Sequence, residues 1–167
     1  MGMRSGLFMF LLFMVTACDQ SAQVQKVEHS SPNVSEVRKI EDPVPNASEV
    51  RLFVEVDYDK NSGEPIFNKK NGVVLSATDR VRFEDTLRFV ATPEAMAACF
   101  IPHHFFRYFD NEGKQVGEVA VCFCCAGTAS SGSDKLKPRP DEILDADLKA
   151  LKNLVLRLGE PTQVLCQ

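Results

Sequence analysis

The 167-residue sequence predicts an α+β domain, a small antiparallel sheet with two helices packed on one face. Three observations carry this expectation. Strand-like runs flank a glycine-bearing turn between residues 103 and 123, an alternating run stands at 51–58, and two further stretches open on helix N-terminal signals and carry apolar residues at helical spacing.

In chain order, Arg51-Leu52-Phe53-Val54-Glu55-Val56-Asp57-Tyr58 is β-branched and aromatic, with Leu52, Val54, Val56 and Tyr58 on one face, and predicts a strand. Asp59 to Gly72 is rich in Asn, Gly, Lys and Pro and predicts a loop. Ser76, with Asp79 three residues on, has the spacing of a helix N-cap. The helix it opens is expected to run to about Arg88 and to turn Val81, Phe83, Leu87 and Val90 inward.

Phe105–Phe109 and Gln115–Phe123 read as two strands around Asp110-Asn111-Glu112-Gly113-Lys114. A three-residue hairpin loop needs positive φ at its last position, and Gly113 supplies it. Ala126 to Pro138 predicts a loop. From Pro140 to Leu158 a proline and acids at the start, Arg157 at the end and Gly159 then Pro161 beyond predict a second helix, with Ile143, Leu144, Leu148, Leu151, Val155 and Leu158 as its buried stripe. If Gln163–Cys166 adds a last short strand, the order becomes βαββαβ, a ferredoxin-like arrangement.

The N-terminus reads differently from this body. MGMRSGLFMFLLFMVTACDQ has one basic residue, Arg4, and an apolar core from Leu7 to Val15. That core is shorter than the roughly 20 residues of a membrane span, and it suits a secretory signal. It ends in Val15-Thr16-Ala17-Cys18, which resembles the bacterial lipobox. The resemblance implies removal of residues 1–17 and acylation of Cys18 with diacylglycerol and palmitate on the envelope side of the membrane. Myristoylation at Gly2 is excluded because position 6 is Gly6 rather than Ser or Thr. Asp19, beside the lipidated cysteine, favours the inner membrane by the rule known for enterobacterial lipoproteins.

Residues 18–48 then form the lipidated N-terminus and a flexible tether, too poor in apolar residues to order itself and on the order of 30 Å in reach. Within it Pro32-Asn33-Val34-Ser35-Glu36-Val37-Arg38 is nearly repeated as Pro45-Asn46-Ala47-Ser48-Glu49-Val50-Arg51, a duplication too short for a solenoid. Residues 49–167 are left as a single domain. Without the signal the net charge is near −5, which argues against a nucleic-acid partner and against adsorption of the body to anionic lipid.

The cysteines set the chemical question. If Asp110 pairs with Lys114 and the ladder continues unbroken, Cys99 falls opposite Cys125, within disulfide reach. Cys99, His103 and Cys125 then share one face, and His104, Cys122 and Cys124 the other, with His103 toward solvent. Pro102 cannot donate to the ladder and allows another arrangement, in which Cys99 folds back over the hairpin mouth. Cys99, His104, Cys122 and Cys125 then form a C-x4-H…C-x2-C set suited to zinc or cuprous copper. An oxidising compartment favours disulfides instead, and the five cysteines after Cys18 leave at least one over. A redox-active C-x-x-C is disfavoured because Cys122–Cys125 follows a strand rather than opening a helix.

The run Cys99-x-x-Pro102-x-His104, then Phe109-Asp110-x-x-Gly113, Gly117-Glu118 and Cys122-Phe123-x-Cys125, with Asp147-Leu148…Leu158-Gly159-x-Pro161 beyond, resembles a family of small uncharacterised bacterial lipoproteins and exported proteins. The resemblance covers roughly residues 72–161 and implies that Cys99, His104, Cys122 and Cys125 are the set to watch, with Cys124 an addition. It implies no activity. No catalytic residue emerges either, since neither a phosphate-cradling glycine loop nor an H-E-x-x-H helix is present. The expectation is a lipid-anchored, disulfide-stabilised envelope protein that acts by structure or by binding an envelope protein partner. The alternative is a periplasmic zinc or copper binder.

Overall fold

Nine strands and two helices succeed one another in the computed structural model, which describes residues 37–93 and 99–166. They are β1 (Arg38–Lys39), β2 (Glu49–Tyr58), β3 (Pro65–Phe67), β4 (Val73–Val74), α1 (Ala77–Glu84), β5 (Leu87–Ala91), β6 (His104–Phe109), β7 (Gln115–Cys122), β8 (Gly127–Ser131), a 3-10 turn (Asp134–Leu136), β9 (Glu142–Ala146) and α2 (Leu148–Arg157). The α+β class is as predicted. The arrangement is not ferredoxin-like: one antiparallel sheet runs β3-β2-β6-β7-β8, with β4 also on β2, and a second runs β1-β5-β9. Residues 163–166 form no strand.

The hydrophobic core lies on the inner face of the larger sheet. Period-two alternation turns Val50, Leu52 and Val54 of β2, His104, Phe106 and Tyr108 of β6, and Val119 and Val121 of β7 to that side. The expected β2 stripe stops there: Val56 is half-buried and Tyr58 exposed, because the ladder slips between Glu55 and Asp57 where β3 pairs. The outer face carries Phe53, Phe67 and Phe105, over whose rings the Arg107 guanidinium lies at 4.8–5.3 Å while donating to Glu118 at 2.8 Å.

α1 starts as predicted. The Ser76 hydroxyl oxygen accepts from the Asp79 N–H at 3.1 Å and its hydroxyl donates to the Asp79 carboxylate at 2.7 Å. Phe83 stacks on Phe106 with centroids 3.9 Å apart. Val81, expected inside, is 57 % exposed, and the helix ends at Glu84 rather than near Arg88. Leu87 to Ala91 is strand because it has two partners, β1 on one side and β9 on the other, with Leu87 opposite Ala146 and Phe89 opposite Leu144. Five residues of ladder outweigh the weaker continuation of a helical stripe.

The same partner redefines the C-terminal element. Glu142–Ala146, expected to be the first turns of a long helix, is β9, and Asp147 caps α2 by accepting from the Ala150 N–H at 2.9 Å. Ile143 and Leu144 therefore belong to the sheet, while Leu151, Leu154 and Val155 pack into the core. At the far end Gly159 N–H bonds Leu156 O and Glu160 N–H bonds Val155 O, the paired closure of a Schellman motif.

Residues 37–48, expected in the tether, belong to this body. Arg38 and Lys39 pair with Phe89 and Arg88, and Ile40, Val44 and Ala47 are buried. Arg38 also holds Glu142 through a two-pronged ion pair, which keeps that carboxyl at about 2 against its usual 4.5. The described end of the first repeat copy thus opens β1, as the second opens β2. The 59–72 and 126–138 segments, expected as loops, contain β3 and β8. Among the described residues no helix is long and apolar enough to cross a membrane.

Candidate functional site

The hairpin turn forms as predicted: Asp110 N–H bonds Lys114 O at 3.0 Å, and Gly113 has φ +77°. The register then changes. Phe109 faces Gln115, but Tyr108 faces Gly117 and His104 faces Val121. Val116 is the extra residue of a β-bulge, and every pair beyond it is displaced by one. A one-residue slip exchanges faces. His104 thus lies with Val121 on the inner face, opposite to that of Cys122, and the two expected to share a face do not. The unbroken ladder that set Cys99 against Cys125 does not form, and pairing ends at His104.

The cysteines are joined otherwise. Cys122 pairs with Cys125 and Cys124 with Cys166, Cα atoms 5.6 Å apart in each pair, within the span a disulfide accepts. Cys99 is unpaired and exposed. Cys122 faces Gly127 across the β7–β8 ladder, so Phe123–Ala126 is a tight turn crossed by the first bridge. Ala126 takes φ +53° in this turn, and the Cys125 N–H points at Cys122 Sγ, 3.1 Å away. The second bridge fastens the chain's end to the same turn. Its partner, Cys166, was legible only as one member of an odd set.

Both histidines among the described residues are buried. His104 is 1 % exposed; its Nε2–H donates to the Pro161 carbonyl at 2.8 Å and its ring meets Phe123 edge-on at 4.6 Å. A carbonyl can only accept, so Nδ1 carries the lone pair, and it has no partner. Burial is the main influence depressing the imidazole's pKa, with His103 adding to it; the Pro161 bond and Glu160 act the other way. His103, expected toward solvent, is also buried, with Nδ1 3.5 Å from Glu55 Oε2. Near them Glu160 is held by Asn68 at 2.7 Å and by the Lys69 ammonium at 2.8 Å.

Cys99, His104, Cys122 and Cys125 are therefore not gathered at one point: the imidazole is turned inward and two of the sulfurs are bonded to each other. Among the described residues no three His, Cys, Asp or Glu side chains are placed to hold a metal ion. Cys18, the predicted lipidation site, lies outside the described residues.

A cleft of about 530 Å³ opens beside the turn, lined by Cys99, Phe100, Cys125, Gly127, Ile143 and Leu144 among others. It lies where β8, the edge of the larger sheet, meets β9, the edge of the smaller, and Thr128 Oγ1 donates to Leu144 O at 2.7 Å between them. Sequence reading missed it because β8 and β9 were assigned to a loop and a helix. No family model matches the chain, and no curated protein or solved structure matches it.

Proposed function

We propose that this chain is a lipid-anchored bacterial envelope protein whose disulfide-fastened α+β domain acts by binding rather than by catalysis, with the cleft between β8 and β9 as its contact surface. The observation that carries this reading is the pairing of four of the five cysteines after Cys18. Such bridges persist in an oxidising compartment, in keeping with the signal-like start and with Cys18 as the acylated residue. The pairing also occupies two of the four ligands that a zinc or copper site at the hairpin mouth requires.

Metabolic labelling with a palmitate analogue tests the anchor. The full-length chain is expected to take up label and to fractionate with membranes, and Cys18→Ser is expected to abolish both. Non-reducing peptide mapping and metal analysis of the same material test the domain. Reduced cysteines in a soluble cytoplasmic protein would overturn the proposal. Near-stoichiometric zinc or copper, lost on His104→Ala, would replace it with the metal reading.

A further inference from the structure

We infer that the cleft wall is a thiol–disulfide exchange site, in which Cys99 takes Cys125 from Cys122. Three sulfurs meet the chemical requirements of attacker, centre and leaving group. Cys99 supplies an exposed free thiol. Cys125 is the half of the bridge that lines the cleft Cys99 also lines, whereas Cys122 is buried. Phe100 holds the two walls together: its ring lies so close to Gly127 that a methyl group there would meet Phe100 Cδ2 at 2.8 Å. Cys99 adjoins that contact on one side, and Cys125 stands two residues from it on the other.

The leaving sulfur is buried, which works against a thiolate, and one backbone donor offsets that cost. Cys122 Sγ already faces the Cys125 backbone N–H at 3.1 Å, a donor that stabilises negative charge. A better-stabilised leaving thiolate speeds exchange. The step is balanced. Cys99 loses its proton to solvent and its thiolate attacks Cys125 Sγ. The Cys122–Cys125 bond breaks as the Cys99–Cys125 bond forms, and Cys122 leaves as a thiolate that takes up a proton. No oxidant or reductant is consumed. The new bridge joins two residues of the cleft lining, so the position of one disulfide decides whether residue 99 is free or tied to the turn. Cys124–Cys166 takes no part and serves as an internal reference.

This inference rests on the Cys122–Cys125 pairing and is independent of the lipid anchor and of any ligand. The test uses the full-length chain, extracted from envelopes in detergent without reductant and equilibrated with iodoacetamide at pH 8 before peptide mapping. Label is expected on both Cys99 and Cys122, with both the Cys99–Cys125 and Cys122–Cys125 crosslinked peptides present and Cys124–Cys166 intact. In Cys99→Ser the label on Cys122 should be lost. In Cys122→Ser, oxidised glutathione supplied as the two-electron oxidant should join Cys99 and Cys125, so that the domain shows no free thiol. Label confined to Cys99 in the wild type overturns the inference, as do label on Cys122 in Cys99→Ser or two free thiols in Cys122→Ser. Label on the peptide carrying Cys18 bears on the lipid anchor alone.

Discussion

The imidazole of His104 offers one nitrogen to a carbonyl and leaves the other buried without a partner, so protonation inside the fold has no acceptor to stabilise it. Its folded-state pKa lies below the unfolded value of about 6.5. The unfolded chain therefore binds the proton more readily. Stability is full above that value and declines as pH falls through and below it. The groups acting on the ring are His103, which deepens the shift, and Glu160, which opposes it. Between pH 7 and 5 the urea midpoint is expected to fall. In His104→Gln, whose amide nitrogen can make the same bond to Pro161, that fall should largely vanish. An unchanged slope in the variant would assign the pH dependence elsewhere. The Glu142 carboxyl, held at about 2 by Arg38, does not blur this window, because its contribution is lost only as pH falls from about 4.5 toward 2. At this scale the sequence was legible where partners are local. Ser76 and Asp79 cap a helix three residues apart, whereas His104 finds its acceptor 57 residues away and no spacing announces it.

At the scale of elements, the bulge at Val116 governs where the hairpin's side chains point, and glycines make room for it. Gly132 has φ +89°, and a Cβ there would stand 2.7 Å from Val116 O and 2.8 Å from Gly117 Cα, both backbone atoms of the bulge. Gly113 has a similar φ of +77° with nothing within 4 Å. Comparing alanine at the two positions separates the conformational penalty from the collision. Gly113→Ala is expected to cost about 1–2 kcal/mol, the penalty of left-handed backbone for an L-residue. Gly132→Ala is expected to cost roughly 3 kcal/mol or more, since backbone strain is added to it. Equal losses in urea titrations would mean that the bulge yields to the methyl group. The turn was readable because Gly113 marks it; the bulge was not, since nothing at Val116 marks an extra residue. The two strands missed at Leu87–Ala91 and Glu142–Ala146 are each other's partners. Each has an apolar pattern that a helix also fits, and only pairing between segments some 50 residues apart decides between them.

Over the whole molecule, the bridges constrain loops of very different size. Cys122–Cys125 closes a separation of three residues, and Cys124–Cys166 closes one of 42 that contains β8, β9 and α2. Loop-closure entropy predicts about 2 kcal/mol of stabilisation from the short bridge and about 4 kcal/mol from the long one. The long bridge also fixes the segment after α2, which carries Glu160 to Asn68 and Lys69, the Pro161 carbonyl to His104 and Val164 into the core. The double variant Cys124→Ser with Cys166→Ser is therefore expected to lose about twice the stability lost by Cys122→Ser with Cys125→Ser. In the first variant, amide exchange should quicken at Glu160 and in the last turn of α2, where Glu160 N–H bonds Val155 O. The second variant should leave those amides protected, because its bridge reaches no further than its own turn. Equal destabilisation, or an undisturbed tail without Cys166, would mean that the Glu160 and Pro161 contacts hold the C-terminus unaided. The long bridge would then be a consequence of the fold rather than one of its fastenings.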